Sequence, residues 1–156
     1  MKHTPLLLGA EDGMFALAIG DIQTALTLGA VLLVFGAVVE SPVWTKLAAG
    51  LERVGVPSIL VEMPGHGLNG NATIDAREVV ARARRALTEA GLEKVVVITE
   101  SAGMEPAAAA ASTDSDIVEL IVAGLPLPDV ATKLARNVGA LDYMRRGVRL
   151  SAIKSL

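Results

Sequence analysis

The sequence predicts an α/β protein, a three-layer α/β/α sandwich built on a mostly parallel sheet. Four short runs are rich in β-branched residues and apolar on both faces, as strands are when helices cover a parallel sheet on each side. These runs are residues 31–35, 58–61, 95–98 and 117–122. Amphipathic stretches with helical spacing lie between them. Strand–helix–strand repetition of this kind folds through right-handed crossovers into layers.

The first of these helices is predicted to begin soon after the strand at 31–35. Ser41 suits its N-cap, Pro42 its first helical position and Gly55 the stop beyond its last turn. Apolar residues recur on one face at intervals of three and four, and they are Trp44, Leu47, Ala48, Leu51 and Val54. This face is predicted to pack on the sheet.

Two more helices and a hairpin complete the predicted core. A helix over residues 73–90 buries Val80, Ala83 and Leu87 and ends at Gly91. Its charged residues are interpreted as a solvated face: Arg77, Arg82, Arg84, Arg85 and Glu89. An alanine-rich helix follows residue 101, and residues 4–8 and 14–19 are predicted to pair as a β-hairpin.

The chain changes character after the strand at 117–122. We divide it into an α/β core at residues 1–123 and a helical C-terminal tail or cap at residues 124–156. The strand at 117–122 would then be an exposed, apolar sheet edge, which natural proteins rarely leave bare. We expect the tail to cover this edge or a second chain to pair with it, and the second case predicts a homo-oligomer formed through the edge.

Composition excludes several classes of function. A formal net charge of −3 gives no attraction to nucleic acid, and the absence of cysteine excludes a thiolate nucleophile. The apolar stretch at 25–39 is interrupted by glycine and shorter than the ~20 residues of a membrane-crossing helix, so two short buried segments joined through glycine are predicted. The first residues form too short an apolar run for a signal peptide. We expect a cytoplasmic protein with no nucleic-acid or membrane partner.

The segment that suggests chemistry is Val-Val-Val-Ile-Thr-Glu-Ser-Ala-Gly-Met at residues 95–104. A buried strand runs into Ser101 and then directly into a small-residue helix, which leaves almost no room for a loop. A serine at such a turn lies at a helix N-terminus, where the helix dipole and free N–H groups favour negative charge. The pattern of a nucleophile elbow is Gly-x-Ser-x-Gly, and Thr99 replaces its first glycine.

Two further segments accompany this elbow at the ends of other predicted strands. Phe-Gly-Ala at 35–37 stands where His-Gly-x is usual, and Glu-Met-Pro-Gly-His-Gly at 62–67 is similar to an Asp-x-Pro-Gly-His-Gly turn. Together with Thr-Glu-Ser-Ala-Gly at 99–103, they resemble the α/β-hydrolase family of serine esterases and lipases. The resemblance covers about residues 31–122. It implies an α/β-hydrolase-like fold truncated before the C-terminal strands that carry the family's acid and histidine.

The resemblance also implies roles for individual residues. Ser101 would be the nucleophile of a serine ester hydrolase, attacking the carbonyl of a small acyl substrate. The backbone N–H groups of Ala37 and Ala102 would form the oxyanion hole. Nothing in the sequence resembles a phosphate loop, a dinucleotide fingerprint or a metal cluster, so no cofactor and no metal are expected.

The general base is the missing part. The two histidines of the chain, His3 and His66, both precede Ser101, whereas the family places its histidine after the nucleophile. His66 has two readings, a base that reaches across the mouth of the site or a loop residue held by backbone hydrogen bonds. Asp129 also has two readings, the acid of a triad or the N-cap of a solvated helix.

Three hypotheses about function stay open at this point. The first is a serine ester hydrolase, or part of one. The second is a catalytically inactive relative that binds a small apolar ligand or a partner subunit, which Phe35, Thr99 and the missing histidine favour. The third is an unrelated doubly wound binding domain in which the elbow is a coincidence.

Overall fold

A seven-stranded mixed sheet forms the centre of the molecule. The structure, a computed structural model, describes residues 3–9, 13–34, 42–100, 103–123 and 149–153. The strands are β1 (His3–Gly9), β2 (Met14–Ile19), β3 (Ala30–Val34), β4 (Ser58–Val61), β5 (Val95–Thr99), β6 (Ile117–Ala123) and β7 (Arg149–Ile153). Their order across the sheet is β1-β2-β4-β3-β5-β6-β7, with β1 and β2 antiparallel and the remaining strands parallel.

Helices cover both faces of this sheet, which confirms the predicted three-layer α/β/α class. The helices are α1 (Ile22–Leu28), α2 (Pro42–Arg53), α3 (Val79–Glu89) and α4 (Met104–Thr113). On one face α2 packs through Trp44 and Ala48, whereas α1, α3 and α4 pack on the other face. The order of the strands explains why the helices lie on different faces. From β3 to β4 the chain moves one way across the sheet, and from β4 to β5 it moves back, so right-handed crossovers place α2 and α3 on opposite faces.

The central strand β3 shows why the apolar runs are continuous. Leu32 and Val34 point into the core beneath α3 and α4, whereas Val31 and Leu33 point into the core beneath α2. All five residues of β3 are therefore buried. The same two-sided burial made β4 and β5 predictable from sequence. The strand β6 is also present as predicted, although Val118 in it is 45% exposed, and the predicted β-hairpin is present as β1 and β2.

The C-terminal segment differs from the prediction of a wholly helical tail. Residues 149–153 form β7, which pairs parallel with β6 from Glu119 to Ala123. The edge of β6 that we expected to be exposed is thus covered by the chain itself, one of the two outcomes proposed for it. A strand also follows 117–122, although we expected none there. Residues 124–148 lie outside the described residues, and homo-oligomer formation stays a prediction.

The described part of the apolar stretch at 25–39 divides at a glycine, Gly29, and a division at glycine was predicted; residues 35–39 lie outside the described residues. Helix α1 ends before it and β3 begins after it, and a Cβ on Gly29 would lie 2.6 Å from the carbonyl oxygen of Lys94. The expectation that both segments are buried was wrong for α1, because Leu28 is 77% exposed. No helix in the described parts of the chain has the length and apolarity that crossing a bilayer requires.

Helix α3 begins later than the periodicity predicted, at Val79 rather than at residue 73. Asp75 accepts a hydrogen bond from the N–H of Arg77 and so caps a 3₁₀ turn at Ala76–Glu78 that leads into the helix. The Arg77 guanidinium also donates to this carboxylate, and these hydrogen bonds lower the pKa of Asp75 to about 2.

Arg84 contradicts the predicted solvated face of α3, since it is only 2% exposed. Its Nε donates to Asp114 at 2.8 Å, and its Nη atoms donate to the carbonyl oxygens of Leu92 at 3.2 Å and Glu93 at 2.6 Å. The guanidinium therefore joins α3 to the two loops that precede β5 and β6. Burial is tolerated because the fork of donors is matched by fixed acceptors.

We expect Arg84→Ala to lower the free energy of unfolding by about 3–5 kcal/mol, because the substitution leaves a partly buried carboxylate and two carbonyls without their donor. Urea denaturation measures the change. Arg85→Ala is the matched control, since Arg85 is the exposed neighbour on the same helix, and a surface change there alters stability by no more than ~0.5 kcal/mol. Equal losses in the two variants would contradict the assigned role of Arg84.

Candidate active site at the carboxyl edge of the sheet

Three strands end side by side at one edge of the sheet. Val34 at the end of β3 pairs with Val61 at the end of β4 and with Thr99 at the end of β5. The sequence segments that begin at residues 35, 62 and 100 therefore leave the sheet at the same edge. In open α/β sheets, ligands bind outside the carboxyl ends of the strands. The three segments singled out in the sequence thus all start at the edge where such a fold places its site.

The connection from β5 to α4 is short. The strand ends at Thr99, the helix begins at Met104, and the N–H of Gly103 donates to the carbonyl oxygen of Glu100 at 3.0 Å. The predicted strand and the predicted helix on either side of Ser101 are both present. Ser101 and Ala102 lie outside the described residues, as does Ala37. Their assignment as nucleophile and oxyanion hole stays a prediction.

Gly103 allows α4 to approach the ends of β3 and β5. A Cβ at this position would lie 2.7 Å from the carbonyl oxygen of Val34 and 2.8 Å from Oγ1 of Thr99. Thr99 is fully buried, and its hydroxyl has no hydrogen-bond partner among the described residues. The space left by Gly103 accommodates the larger side chain that Thr99 brings to the first position of the elbow pattern. Gly103 therefore offsets the replacement of the first glycine of the elbow pattern by Thr99.

The segment after β4 is a tight turn with a clear sequence origin. The N–H of His66 donates to the carbonyl oxygen of Met63 at 3.2 Å, and Gly65 has φ of 81°. Proline at the second position and a glycine with positive φ at the third are the features of a type II turn. A 3₁₀ turn at Gly67–Asn69 follows directly. The Pro-Gly-His-Gly sequence thus encodes this backbone path by itself.

Two buried polar side chains support this turn, and Asn69 joins it to the sheet. Asn69 is fully buried; its Nδ2 donates to the carbonyl oxygen of Glu62 at 2.7 Å, and its Oδ1 accepts from the N–H of Phe15 in β2 at 2.6 Å. The carboxylate of Glu62, which is 5% exposed, fills the space where a Cβ of Gly67 would stand. Sequence reasoning missed both roles. The only available signal was the acidic first residue of the turn motif, and no motif marks Asn69.

His66 is half-buried, and its ring is oriented by the backbone. Nδ1 lies 3.0 Å from the carbonyl oxygen of Pro64. A carbonyl oxygen only accepts, so Nδ1 carries the hydrogen and Nε2 of the neutral ring carries the lone pair. The structure therefore shows His66 as a loop residue held by a backbone hydrogen bond, and a role as general base is compatible with this position.

The second histidine of the chain, His3, lies away from the candidate site. His3 pairs with Ile19, which in turn pairs with Ser58, the first residue of β4. His3 therefore lies at the amino ends of the parallel strands, at the edge opposite the candidate site. Asp129 lies outside the described residues. Among the residues that the structure describes, no three histidine or acidic side chains are grouped so that they could hold a metal ion.

The fold of the chain is similar to that of several solved structures. The chain aligns with a thioesterase domain from the curacin biosynthetic pathway at a TM-score of 0.59 and 18% identity, over 92% of this chain and 52% of that domain. A cold-adapted esterase from an Arctic intertidal metagenomic library aligns at 0.56 and 13% identity, over 91% and 79%. An α/β-hydrolase fold protein of unknown function aligns at 0.57 and 16%, over 93% and 57%.

The chain has an α/β-hydrolase fold. The solved structures that share it include thioesterase, esterase, phospholipase and epoxide hydrolase proteins. The chain spans about half the length of most of them. No protein-family model matches the sequence, and no curated protein sequence matches it. The sequence that resembles a nucleophile elbow, residues 99–103, connects β5 to α4 in this fold.

We expect Gly103→Ala to lower the free energy of unfolding by about 1–3 kcal/mol, because the added methyl overlaps the Val34 carbonyl and cannot be relieved by a rotamer change. Gly103 has φ of −73°, so backbone strain does not contribute. Gly50→Ala in α2 is the matched control, since its Cβ would meet only Arg53 at 3.9 Å and helix propensity favours alanine. A Gly103→Ala protein as stable as the Gly50→Ala protein would refute the close approach.

We expect Asn69→Ala to cost about 2–4 kcal/mol of unfolding free energy, because the buried carbonyl of Glu62 and the partly buried N–H of Phe15 each lose their partner. Urea denaturation again provides the measurement. Asn71→Ala is the control, since Asn71 is an exposed amide two residues away. If both variants lose less than ~0.5 kcal/mol, the link between β2 and the turn after β4 does not stabilise the fold.

Proposed function

We propose that this chain carries the nucleophile-bearing part of a serine ester hydrolase, with Ser101 as nucleophile and the N–H groups of Ala37 and Ala102 as the oxyanion hole. The observation that supports this proposal best is the turn at residues 100–103. It connects a buried parallel strand to a helix at the carboxyl edge of the sheet and is drawn tight by the contact of Gly103 with Val34.

The chemistry of the proposed step is acyl transfer. Ser101 Oγ bonds to the acyl carbon, its proton passes to a base, and the carbonyl oxygen becomes an oxyanion that accepts hydrogen bonds from the two backbone N–H groups. Collapse of the tetrahedral intermediate expels the alcohol, which takes up a proton. Water then releases the acid from the acyl-enzyme. The N-terminus of α4 adds a favourable dipole beside the developing negative charge.

The comparisons support the reaction class. Two of the solved structures with this fold are named an esterase and a thioesterase, and both names denote hydrolysis of an acyl compound. The segments at 35–37, 62–67 and 99–103, which resemble those of serine esterases, start at the carboxyl ends of neighbouring strands of this sheet. A small uncharged acyl ester is the substrate class that we propose, with no cofactor.

A second candidate is an inactive hydrolase-like protein that binds a small apolar ligand. One observation favours it. An open apolar groove of about 300 Å³ lies at the amino ends of the parallel strands, at the sheet edge opposite the end of β5, and its lining includes Leu28, Val56 and Val118. The chain also has no histidine after Ser101. Absence of a reactive serine would favour this candidate over the hydrolase.

We expect a fluorophosphonate probe to label the purified wild-type protein and not the Ser101→Ala variant, because such probes form a bond with an activated serine. Mass spectrometry of the labelled peptide identifies the site, and Ser115→Ala, an exposed serine after α4, is the matched control. Labelling that persists in Ser101→Ala, or a wild-type protein that stays unlabelled beside an active esterase, would sink the proposal.

A further inference from the structure

The turn after β4 contains the only asparagine of the sequence that is followed by glycine, Asn69–Gly70. In such a pair the glycine nitrogen can attack the side-chain amide carbon, because glycine has no Cβ to hinder the approach. The nitrogen of Gly70 bonds to Cγ of Asn69, the Cγ–Nδ2 bond breaks, and Nδ2 leaves as ammonia with the proton of the Gly70 N–H. Water then opens the resulting succinimide at either carbonyl, which gives aspartate or isoaspartate.

The folded turn engages both reacting groups in hydrogen bonds. Asn69 is fully buried; its Nδ2 donates to the carbonyl oxygen of Glu62 at 2.7 Å, and its Oδ1 accepts from the N–H of Phe15 at 2.6 Å. The attacking nitrogen is engaged as well, since the N–H of Gly70 donates to the carbonyl oxygen of Gly67 at 3.3 Å. Attack on Cγ therefore requires the turn to open and the amide to leave its two partners.

The product does not fit the place that Asn69 occupies. A carboxylate only accepts hydrogen bonds, so an aspartate here keeps the bond from Phe15 but cannot donate to the Glu62 carbonyl. Two acceptors then face each other, and the new charge lies where the asparagine side chain has no exposed surface. Isoaspartate also lengthens the main chain, which the 3₁₀ turn at Gly67–Asn69 cannot accommodate without losing hydrogen bonds.

We propose that Asn69–Gly70 is a site of spontaneous deamidation that the native turn suppresses, and that its product prevents the turn from regaining its attachment to β2. The modification needs only water and an open turn. Loss of ammonia makes it one-way, so a transient opening becomes a permanent change at the carboxyl edge of the sheet. The side-chain bonds of Asn69 thus have a second role, which is to protect the residue that makes them.

The rate of deamidation at residue 69 tests the protection. The full chain is incubated at mildly alkaline pH with and without guanidinium chloride, and peptide mass spectrometry follows the product. We expect the native chain to react at least about tenfold more slowly, because only the fraction with an open turn reacts. Gly70→Ala is the matched control and should lose most of the reaction in denaturant. It should fold normally, since Gly70 has φ of −54° and its Cβ would meet only the Gly67 carbonyl oxygen, at 3.5 Å.

A second variant opens the turn without changing the reacting pair. Gly67 has φ of 46°, and a Cβ there would overlap the buried carboxylate of Glu62. We expect Gly67→Ala to deamidate at residue 69 faster than the wild type in native buffer and at the wild-type rate in guanidinium chloride. A Gly67→Ala protein that reacts faster than the wild type in both conditions would contradict control by the turn.

Refolding tests the effect of the product on the turn. Wild-type and Gly70→Ala chains are aged together in guanidinium chloride, refolded, and compared with unaged samples by urea denaturation. We expect the deamidated wild-type chain to unfold at a urea concentration lower by about 1 M, whereas aged Gly70→Ala keeps its midpoint.

Three results would overturn the proposal. Equal rates in the native and denatured wild-type chains remove the protection by the turn, and a denatured chain without product at residue 69 removes the site. A wild-type chain that is deamidated at residue 69 and still refolds with its original midpoint removes the effect on the turn. All of these measurements are independent of Ser101, so the proposed function stands or falls separately.

Discussion

The contact of Gly103 with the ends of β3 and β5 is the constraint on which the candidate site depends. Helix α4 comes close enough for a single methyl group to overlap the Val34 carbonyl, so the chain has only residues 100–103 in which to pass from strand to helix. The proposed nucleophile, Ser101, is one of these four residues in the sequence. The same contact accommodates Thr99, whose β-branched side chain would otherwise force the helix away from the strand.

A second support stands two strands away and uses hydrogen bonds instead of close packing. The turn after β4 is determined locally by Pro64 and Gly65, but its place on the sheet is determined by Asn69, which bonds to Glu62 in the turn and to Phe15 in β2. Packing thus holds the start of α4 against β3 and β5, and a buried amide holds the turn after β4. The two segments have independent supports at one sheet edge.

Much of the fold could be predicted, because strands covered on both faces are apolar throughout and helices between them are amphipathic. The failures share a cause, which is contact between residues far apart in sequence. Arg84 resembled a surface residue because its acceptor Asp114 lies on a different element. Residues 149–153 were assigned to a helix because their pairing with β6 is not visible locally. His66 was singled out by its motif, but its tautomer follows from the Pro64 carbonyl, and Asn69 belonged to no motif at all.

The bond from Phe15 to Asn69 has a consequence for how this chain is handled. The β1–β2 hairpin lies at the margin of the sheet, yet one of its backbone amides anchors the loop that carries His66. Expression boundaries that trim the first strands, or bulky fusions that distort them, would unsettle a loop some fifty residues downstream. Activity lost in this way would be mistaken for the loss of a catalytic group, although the cause would be the loss of the hydrogen bond from Phe15 to Asn69.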